Sequence, residues 1–353
     1  MLGVVSGKLK QFAEAADCFR QVVAIQPQMA MAHYGLGAAL KAQGKLTEAM
    51  DSLKQAVQIK PDLAAACFDL GNVLYSLGKL DEAKENLQQA LRLKPTADAH
   101  FSLGKVQFSQ GLMIEAVASY QEALKLNPAR ADIYSALGFA WLSRGGLNEA
   151  VESCRQAIKL KPDFPYAYNN LGRALMLLGH IDEAVSSFQE ALRLKPDFVQ
   201  AASCIVVAYE MEGDYQRAGE HLAPLIGKHP DDPAVAMAFA RLCKHIGRCQ
   251  EAIEMMEMVL QQKNLPPMDK RELHFSAGKL YDSMNAYDEA FAHYQSANSI
   301  LAPPYDPARH ARDTDALIAI FSADLLRRLP RATHVSERPV FIVGMPRSGT
   351  SLV

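Results

Sequence analysis

The chain has 353 residues, of which 49% are hydrophobic and 22% are charged, and its formal net charge is -2. Its Lys and Arg residues are scattered among Asp and Glu, which excludes the basic surface of a nucleic-acid-binding protein. No run reaches the roughly 18 apolar residues of a membrane span and no signal-peptide pattern opens the chain, so the sequence predicts a cytoplasmic protein without a membrane partner. The six cysteines and ten histidines lack metal-ligand spacing, which predicts free thiols and no metal site.

A period of 34 residues, shortened once to 33, begins at the N-terminus. A Glu-Ala pair recurs at this interval from Glu14 to Glu251, with Arg217-Ala218 in one slot, and appears again at Glu289 after a four-residue insertion near Pro266-Pro267. Prolines recur from Pro27 to Pro230, and a Leu-Gly pair precedes the Glu-Ala pair in most units. The apolar spacing predicts two amphipathic helices in each unit, with Gly and Ala at the points where they approach closely. The Leu-Lys-Pro end of a unit stops its second helix, because proline cannot continue a helix.

This pattern resembles the tetratricopeptide repeat family over residues 1–304. The resemblance implies an all-α superhelical solenoid of about nine helix pairs whose first helices line a concave groove. The first unit starts late in its period, so we expect its leading helix to be cut short. Two later units have Ile205-Val206 and Phe239-Ala240 in place of the Leu-Gly pair. We expect these two units to pack less regularly than the others.

The resemblance implies that the groove binds a protein or peptide partner. The expected groove positions are aromatic in the early units and more polar and basic in the later ones. The same aromatic residues could equally serve to pack helices together, and the sequence leaves that choice open. The predicted groove residues are Tyr34, Phe68, Tyr75, Phe101, Phe108 and Arg173.

The period stops after Pro304, and residues 305–337 have the apolar spacing of a helical linker. Residues 338–353 then read "RPVFIVGMPRSGTSLV". The apolar run at 340–343 predicts a buried parallel strand. It is followed by Gly344 and Gly349 at the spacing of a phosphate-binding loop, in which backbone N–H groups and a helix N-terminus surround an anion.

The loop has Thr350 where a Walker lysine would stand, which counts against a conventional ATPase or GTPase. It resembles the 5′-phosphosulfate-binding loop of sulfotransferases, and the whole layout resembles the bacterial tetratricopeptide-repeat sulfotransferases. That resemblance implies 3′-phosphoadenosine 5′-phosphosulfate as the donor and no metal. It assigns to Arg347 the stabilisation of charge on the bridging oxygen during transfer. The implied donor-binding residues are Gly344, Pro346, Arg347, Ser348, Gly349, Thr350 and Ser351.

The sulfotransferase resemblance covers only residues 338–353, and it places the 3′-phosphate site and the catalytic base beyond Val353. We therefore expect a truncated chain: the parent protein would transfer sulfuryl groups while its repeats recruit an acceptor or a partner. This chain alone would hold half a donor site and would not catalyse transfer. Two alternatives stay open. One is a non-catalytic scaffold, and the other is a nucleotide kinase or hydrolase whose variant loop binds ATP with magnesium.

Overall fold

A computed structural model describes residues 2–300 of the chain, with side chains described from residue 11 onward. These residues form 17 α-helices, and no strand lies among them. The linker predicted at 305–337 and the strand and loop predicted at 338–353 lie outside the described residues. The all-α solenoid expected from the 34-residue period is confirmed over the described part of the chain.

The helices alternate regularly with short turns. In chain order they are α1 (Leu2–Ile25), α2 (Ala30–Ala42), α3 (Leu46–Ile59), α4 (Ala64–Ser76), α5 (Leu80–Leu93), α6 (Ala97–Ser109), α7 (Met113–Leu126), α8 (Ala131–Arg144), α9 (Leu147–Leu160), α10 (Pro165–Leu177), α11 (Ile181–Leu194), α12 (Val199–Glu212), α13 (Tyr215–Lys228), α14 (Pro233–Ile246), α15 (Cys249–Leu260), α16 (Pro267–Ser283) and α17 (Tyr287–Ser299). Each even-numbered helix packs against the odd-numbered helices before and after it. Helices α2 to α17 therefore form eight pairs, each with an even-numbered first helix and an odd-numbered second helix.

The first unit is predicted to form a helix pair like the other eight. It forms instead the single helix α1, which is continuous from Leu2 to Ile25. Seven of the eight pairs turn between their helices at a glycine whose φ lies between 70° and 89°, for example Gly44. The last pair uses Asn285 with a φ of 61°. The first unit has Lys10 at the equivalent point. A left-handed turn is costly for such a residue, so the helix continues through the position instead.

A close approach between the two helices of a pair explains the Leu-Gly motif. A Cβ atom added at Gly37 would lie 2.6 Å from Leu53 Cγ, and one added at Gly172 would lie 2.6 Å from Phe188 Cε1. Both of these larger side chains are completely buried. Glycine is therefore required at this position for the second helix to seat its large residue. The units around α12 and α14 lack this glycine, and their helix pairs contact each other less extensively, as the sequence predicts.

The first helices line the inner side of the array. Contacts join α2 to α4, α4 to α6, α8 to α10, α10 to α12, α12 to α14 and α14 to α16. No comparable contact joins successive second helices anywhere in residues 2–300. Because first helices crowd together while second helices spread apart, the array curves with the first helices on its concave face.

Candidate functional site

The six predicted groove residues all lie on first helices: Tyr34 on α2, Phe68 and Tyr75 on α4, Phe101 and Phe108 on α6, and Arg173 on α10. All six are half-buried. The structure therefore gives them a common face, but their surroundings differ between the early and the later units.

In the early units, basic side chains and a hydroxyl group of the same chain already contact the aromatic residues. Lys105 Nζ lies 5.2 Å from the centroid of the Tyr75 ring and 5.7 Å from that of Phe101. The guanidinium of Arg130 also lies 5.7 Å from the Phe101 centroid. The Tyr75 hydroxyl is 3.3 Å from Ser109 Oγ in the next unit. These cation–π and hydrogen-bond contacts join neighbouring units and cover part of the ring surface.

Tyr34 is likewise tied to the following unit. Its hydroxyl donates a hydrogen bond to Asp69, whose carboxylate also accepts from Lys41 Nζ at 2.7 Å. Burial, followed by the negative charge of Asp69, raises the pKa of Tyr34 above its usual value. Tyr34 therefore acts as a neutral donor in a contact between α2 and α4. These contacts of Tyr34 help to pack one unit on the next.

A pocket of about 400 Å³ opens on the concave face of the later units. Its walls come from five consecutive first helices, α8 to α16, and include Phe139, Arg173, Met237, Arg241 and Asp269. A hollow of similar volume, about 380 Å³, lies between α1, α2 and α3. That hollow contains none of the unpartnered buried polar atoms found among the described residues. Two of the three such atoms belong to residues that line the later pocket.

Two polar atoms in the wall of the later pocket lack hydrogen-bond partners. Asn169 is 6% exposed and Ser203 is 4% exposed. Asn169 Oδ1 and Ser203 Oγ make no hydrogen bond with any described residue. Buried polar groups are nearly always paired, because leaving one unpaired costs about 1–3 kcal/mol. Asn169 and Ser203 both line the pocket, so their unpaired atoms mark it as the candidate site within the described residues.

The pocket arises at one position of the repeat, which we call the inner-face position. It is the fifth residue of every first helix from α2 to α14. Early units fill it with a ring, and α14 fills it with Met237, but α8, α10 and α12 have Ser or Asn there. These smaller side chains leave the space that a ring occupies elsewhere. In chain order, the position holds Tyr34, Phe68, Phe101, Ser135, Asn169, Ser203 and Met237.

Charges of opposite sign lie on the two sides of the pocket. On the α10 side, Arg173 stacks over the Phe139 ring with its guanidinium 5.4 Å from the centroid, and it makes no salt bridge with any described residue. On the far side, Asp269 follows the start of α16 and faces Asp232. Burial, followed by repulsion from Asp232, raises the pKa of Asp269. Arg241 contributes less charge, because it is paired with Glu210.

Asp232 has a second task, which leaves Asp269 as the freer of the two carboxylates. Asp232 Oδ1 accepts hydrogen bonds from the backbone N–H groups of Ala234 at 2.8 Å and Val235 at 3.3 Å, so it caps α14. Asp269 makes no salt bridge with residues 11–300. The pocket thus offers one unpaired cation, one unpaired carboxylate and two unpaired neutral polar atoms, which suits recognition of a polar ligand with both charges.

Sequence reasoning identified Arg173 but missed Asn169, Ser203 and Asp269. The inner-face position carried a usable signal, because aligning the repeats shows its rings giving way to Ser and Asn. Among residues 2–300 no group of three or more His, Cys, Asp or Glu side chains could hold a metal ion. The predicted donor-binding residues at 344–351 lie outside the described residues.

Family models match most of the chain. Models described as "Tetratricopeptide repeat" match residues 1–29, 68–131, 165–198 and 210–268, and one described as "TPR repeat" matches 39–78 and 140–179. A curated relative, an uncharacterized protein of Aquifex aeolicus (strain VF5), is 32% identical over 104 residues. The match takes in 29% of this chain and spans 14% of that protein's length.

Solved structures show the same fold. A tetratricopeptide repeat protein from Parabacteroides merdae ATCC 43184 has a TM-score of 0.61 at 16% identity, covering 70% of this chain and 98% of that one. PilW, a type IV pilus biogenesis factor, scores 0.54 at 21% identity, with 59% and 97% covered. The Cut9–Hcn1 hetero-tetramer of APC/C scores 0.54 at 19% identity, with 75% and 52% covered.

Within the described residues, no helix has the length and apolar character needed to cross a bilayer.

Proposed function

Because the chain belongs to the tetratricopeptide repeat family, we propose that its repeats act as a protein-interaction scaffold whose concave face binds a peptide segment of a partner protein. The observation that carries this proposal is the pocket of about 400 Å³ with Asn169 Oδ1 and Ser203 Oγ unpaired in its wall. A peptide backbone matches them, since its N–H groups donate to a carboxamide oxygen and its carbonyl groups accept from a hydroxyl.

The charged side chains around the pocket restrict which peptides can bind there. Arg173 can hold a carboxylate in a bidentate pair, which is the geometry that a guanidinium favours. Asp269, with Asp232 behind it, can hold a Lys or Arg side chain, and such a partner would relieve the repulsion between the two carboxylates. The segment that fits is therefore polar, with an acidic side chain towards α10 and a basic one towards α16. The aromatic groove residues of the early units would contribute flanking contacts.

A charge reversal at Arg173 tests this proposal. Peptides selected from a random displayed library on the purified chain are titrated by fluorescence anisotropy against the wild type, Arg173→Glu and Arg193→Glu. Arg193 lies on the second helix α11, pairs with Glu190 at 2.8 Å and is far more exposed, so this variant matches the change in charge away from the pocket. We expect Arg173→Glu to weaken binding about ten- to a hundredfold, since a charged hydrogen bond contributes roughly 1.5–3 kcal/mol. Equal affinities for the two variants would contradict the assignment to this pocket.

The terminal sequence supports a second, finer proposal about the parent protein. We infer that residues 338–353 begin a sulfotransferase domain, joined to the repeats at 1–304 by the helical linker at 305–337. The observation that carries it is the run "VFIVGMPRSGTS", in which a strand pattern leads into Gly344, Arg347 and Gly349. In this proposal, the backbone of 348–351 binds the 5′-phosphate of 3′-phosphoadenosine 5′-phosphosulfate, and Arg347 stabilises charge on the leaving oxygen.

Nucleotide binding by the longest translated form of the gene tests the second proposal. Calorimetry with 3′-phosphoadenosine 5′-phosphate, without metal, should give binding that Arg347→Ala weakens. ATP with magnesium serves as the comparison. Tighter binding of magnesium-ATP would favour a kinase or hydrolase, and failure to bind either nucleotide would leave the scaffold as the whole function.

A further inference from the structure

Two free thiols face each other across the turn between α14 and α15. Cys243 lies in the last turn of α14, and Cys249 is the first residue of α15. Their Sγ atoms are 3.1 Å apart, and both residues are free cysteines. A disulfide needs a separation of about 2.05 Å, so an approach of about 1 Å would join them. We propose that Cys243 and Cys249 form a redox site that a hydroperoxide converts reversibly to a disulfide.

The two sulfur atoms have different surroundings, which divides the roles between them. Cys243 is fully buried, and its thiol lies 3.3 Å from the carbonyl oxygen of Ala240. Burial, followed by the neighbouring Cys249, raises the pKa of Cys243 to about 12, so this residue remains a thiol. Cys249 is only half-buried, so its sulfur is the one of the two that a hydroperoxide from solvent can reach. Cys249 is therefore the attacking residue and Cys243 the resolving one.

The turn already holds the two sulfur atoms in place. The backbone N–H of Arg248 donates to the carbonyl oxygen of Cys243 at 2.9 Å, which closes the turn around Gly247. The Arg248 side chain bonds Glu251 through Nε at 2.9 Å and Nη2 at 2.6 Å, and its guanidinium lies 5.2 Å from the Phe239 centroid. These contacts fix the start of α15 against α14. The disulfide would consequently form without a large movement of either helix.

The reaction balances with a hydroperoxide as the oxidant. The Cys249 thiolate attacks one oxygen of the O–O bond, which forms a sulfenic acid and releases the other oxygen as an alcohol or, from hydrogen peroxide, as water. The Cys243 sulfur then attacks the Cys249 sulfur, the S–O bond breaks, and the hydroxide leaves as water with the Cys243 proton. Two thiols lose two electrons and two protons, and the peroxide gains them. An external dithiol reverses the step by thiol–disulfide exchange.

Peptide mapping of the full chain tests the proposal directly. The chain carries Cys18→Ser, which removes an exposed thiol that could link two molecules. It is treated with hydrogen peroxide, alkylated and digested with trypsin. Because trypsin cuts after Lys244 and Arg248, the peptides that contain Cys243 and Cys249 stay together only if a disulfide joins them. We expect the linked pair, a mass lower by two hydrogen atoms, and full recovery of both alkylated peptides after reduction.

Single variants test the order of attack. In Cys243→Ala the sulfenic acid of Cys249 has no partner, so labelling by dimedone should rise several-fold over the wild type. In Cys249→Ala no label should appear at Cys243. Cys204→Ala, which removes a free thiol on α12 and leaves the turn between α14 and α15 unchanged, serves as the control and should form the disulfide normally. Separate, fully alkylated peptides from the oxidised Cys18→Ser chain would overturn the proposal even if a further variant failed to fold, and labelling of Cys243 would overturn the assigned roles.

Discussion

Replacing Asn169 with phenylalanine should close the pocket and stabilise α10 and α12. Phe101 shows that a ring fits the same inner-face position of α6, where it packs 5.7 Å from the Tyr120 ring. An unpaired buried oxygen destabilises the wild type by about 1–3 kcal/mol, and the substitution removes this cost. Burying about 100 Å² of ring surface would add about 2.5 kcal/mol, while ordering the side chain costs about 1 kcal/mol. Asn169→Phe should therefore raise the local free energy of opening by about 2.5–4.5 kcal/mol.

Amide hydrogen exchange is the suitable assay, because repeat arrays can open locally without unfolding as a whole. A gain of about 2.5–4.5 kcal/mol would slow exchange in α10 and α12 roughly seventyfold or more. The reverse variant, Phe101→Asn, is the matched control and should speed exchange in α6 and α7 through a loss of about 3 kcal/mol. Faster exchange in Asn169→Phe would refute the reasoning, because it would mean that the space cannot admit a ring or that the carboxamide is already well bonded.

Two further predictions concern packing and pH. Gly172→Ala should destabilise its unit by about 1–3 kcal/mol in chemical denaturation, because the new Cβ would meet the buried Phe188 ring at 2.6 Å. Gly227→Ala, on a helix with no atom within 4 Å of the new Cβ, should instead be neutral or stabilise by up to about 1 kcal/mol. Burial, followed by the neighbouring His293, lowers the pKa of His274 in the folded chain. The unfolded chain thus binds more protons below about pH 6.5, so stability should fall as the pH drops from that value, and His274→Gln should flatten this slope in thermal melts between neutral pH and about pH 5.

The period of 34 residues predicts the fold well because each repeated residue has the same structural role in every unit where it occurs. A glycine at Gly172 marks a close helix contact, and a glycine at Gly44 marks a left-handed turn. The same logic explains where the prediction was incomplete. The turn expected in the first unit is absent because Lys10 replaces the glycine, a difference that was visible in the sequence.

The pocket was harder to predict, because it forms where small side chains leave a space that larger side chains fill in other units. An aligned sequence shows Ser and Asn at the inner-face position, but polar residues on a helix usually face solvent. Only the packing of neighbouring first helices shows that Asn169 and Ser203 are buried and unpaired. Arg173 was predictable as a groove residue, whereas Asp269 follows the insertion that interrupts the period and has no equivalent in the other units.

The division of the concave face into a packed half and an open half follows from the linear nature of a repeat array. Each unit contacts only its neighbours, so the free-energy cost of leaving Asn169 and Ser203 unpaired falls on α10 and α12 and is not shared by the whole chain. The early units avoid this cost at the inner-face position because aromatic rings fill it, and Lys105 and Arg130 hold rings in these units in place. A ligand that pairs Asn169 and Ser203 would remove that cost where it arises. Its binding free energy should therefore appear as slower amide exchange in α10 and α12 while exchange in α2 to α5 stays unchanged, and this pattern distinguishes occupation of the pocket from general stabilisation of the solenoid.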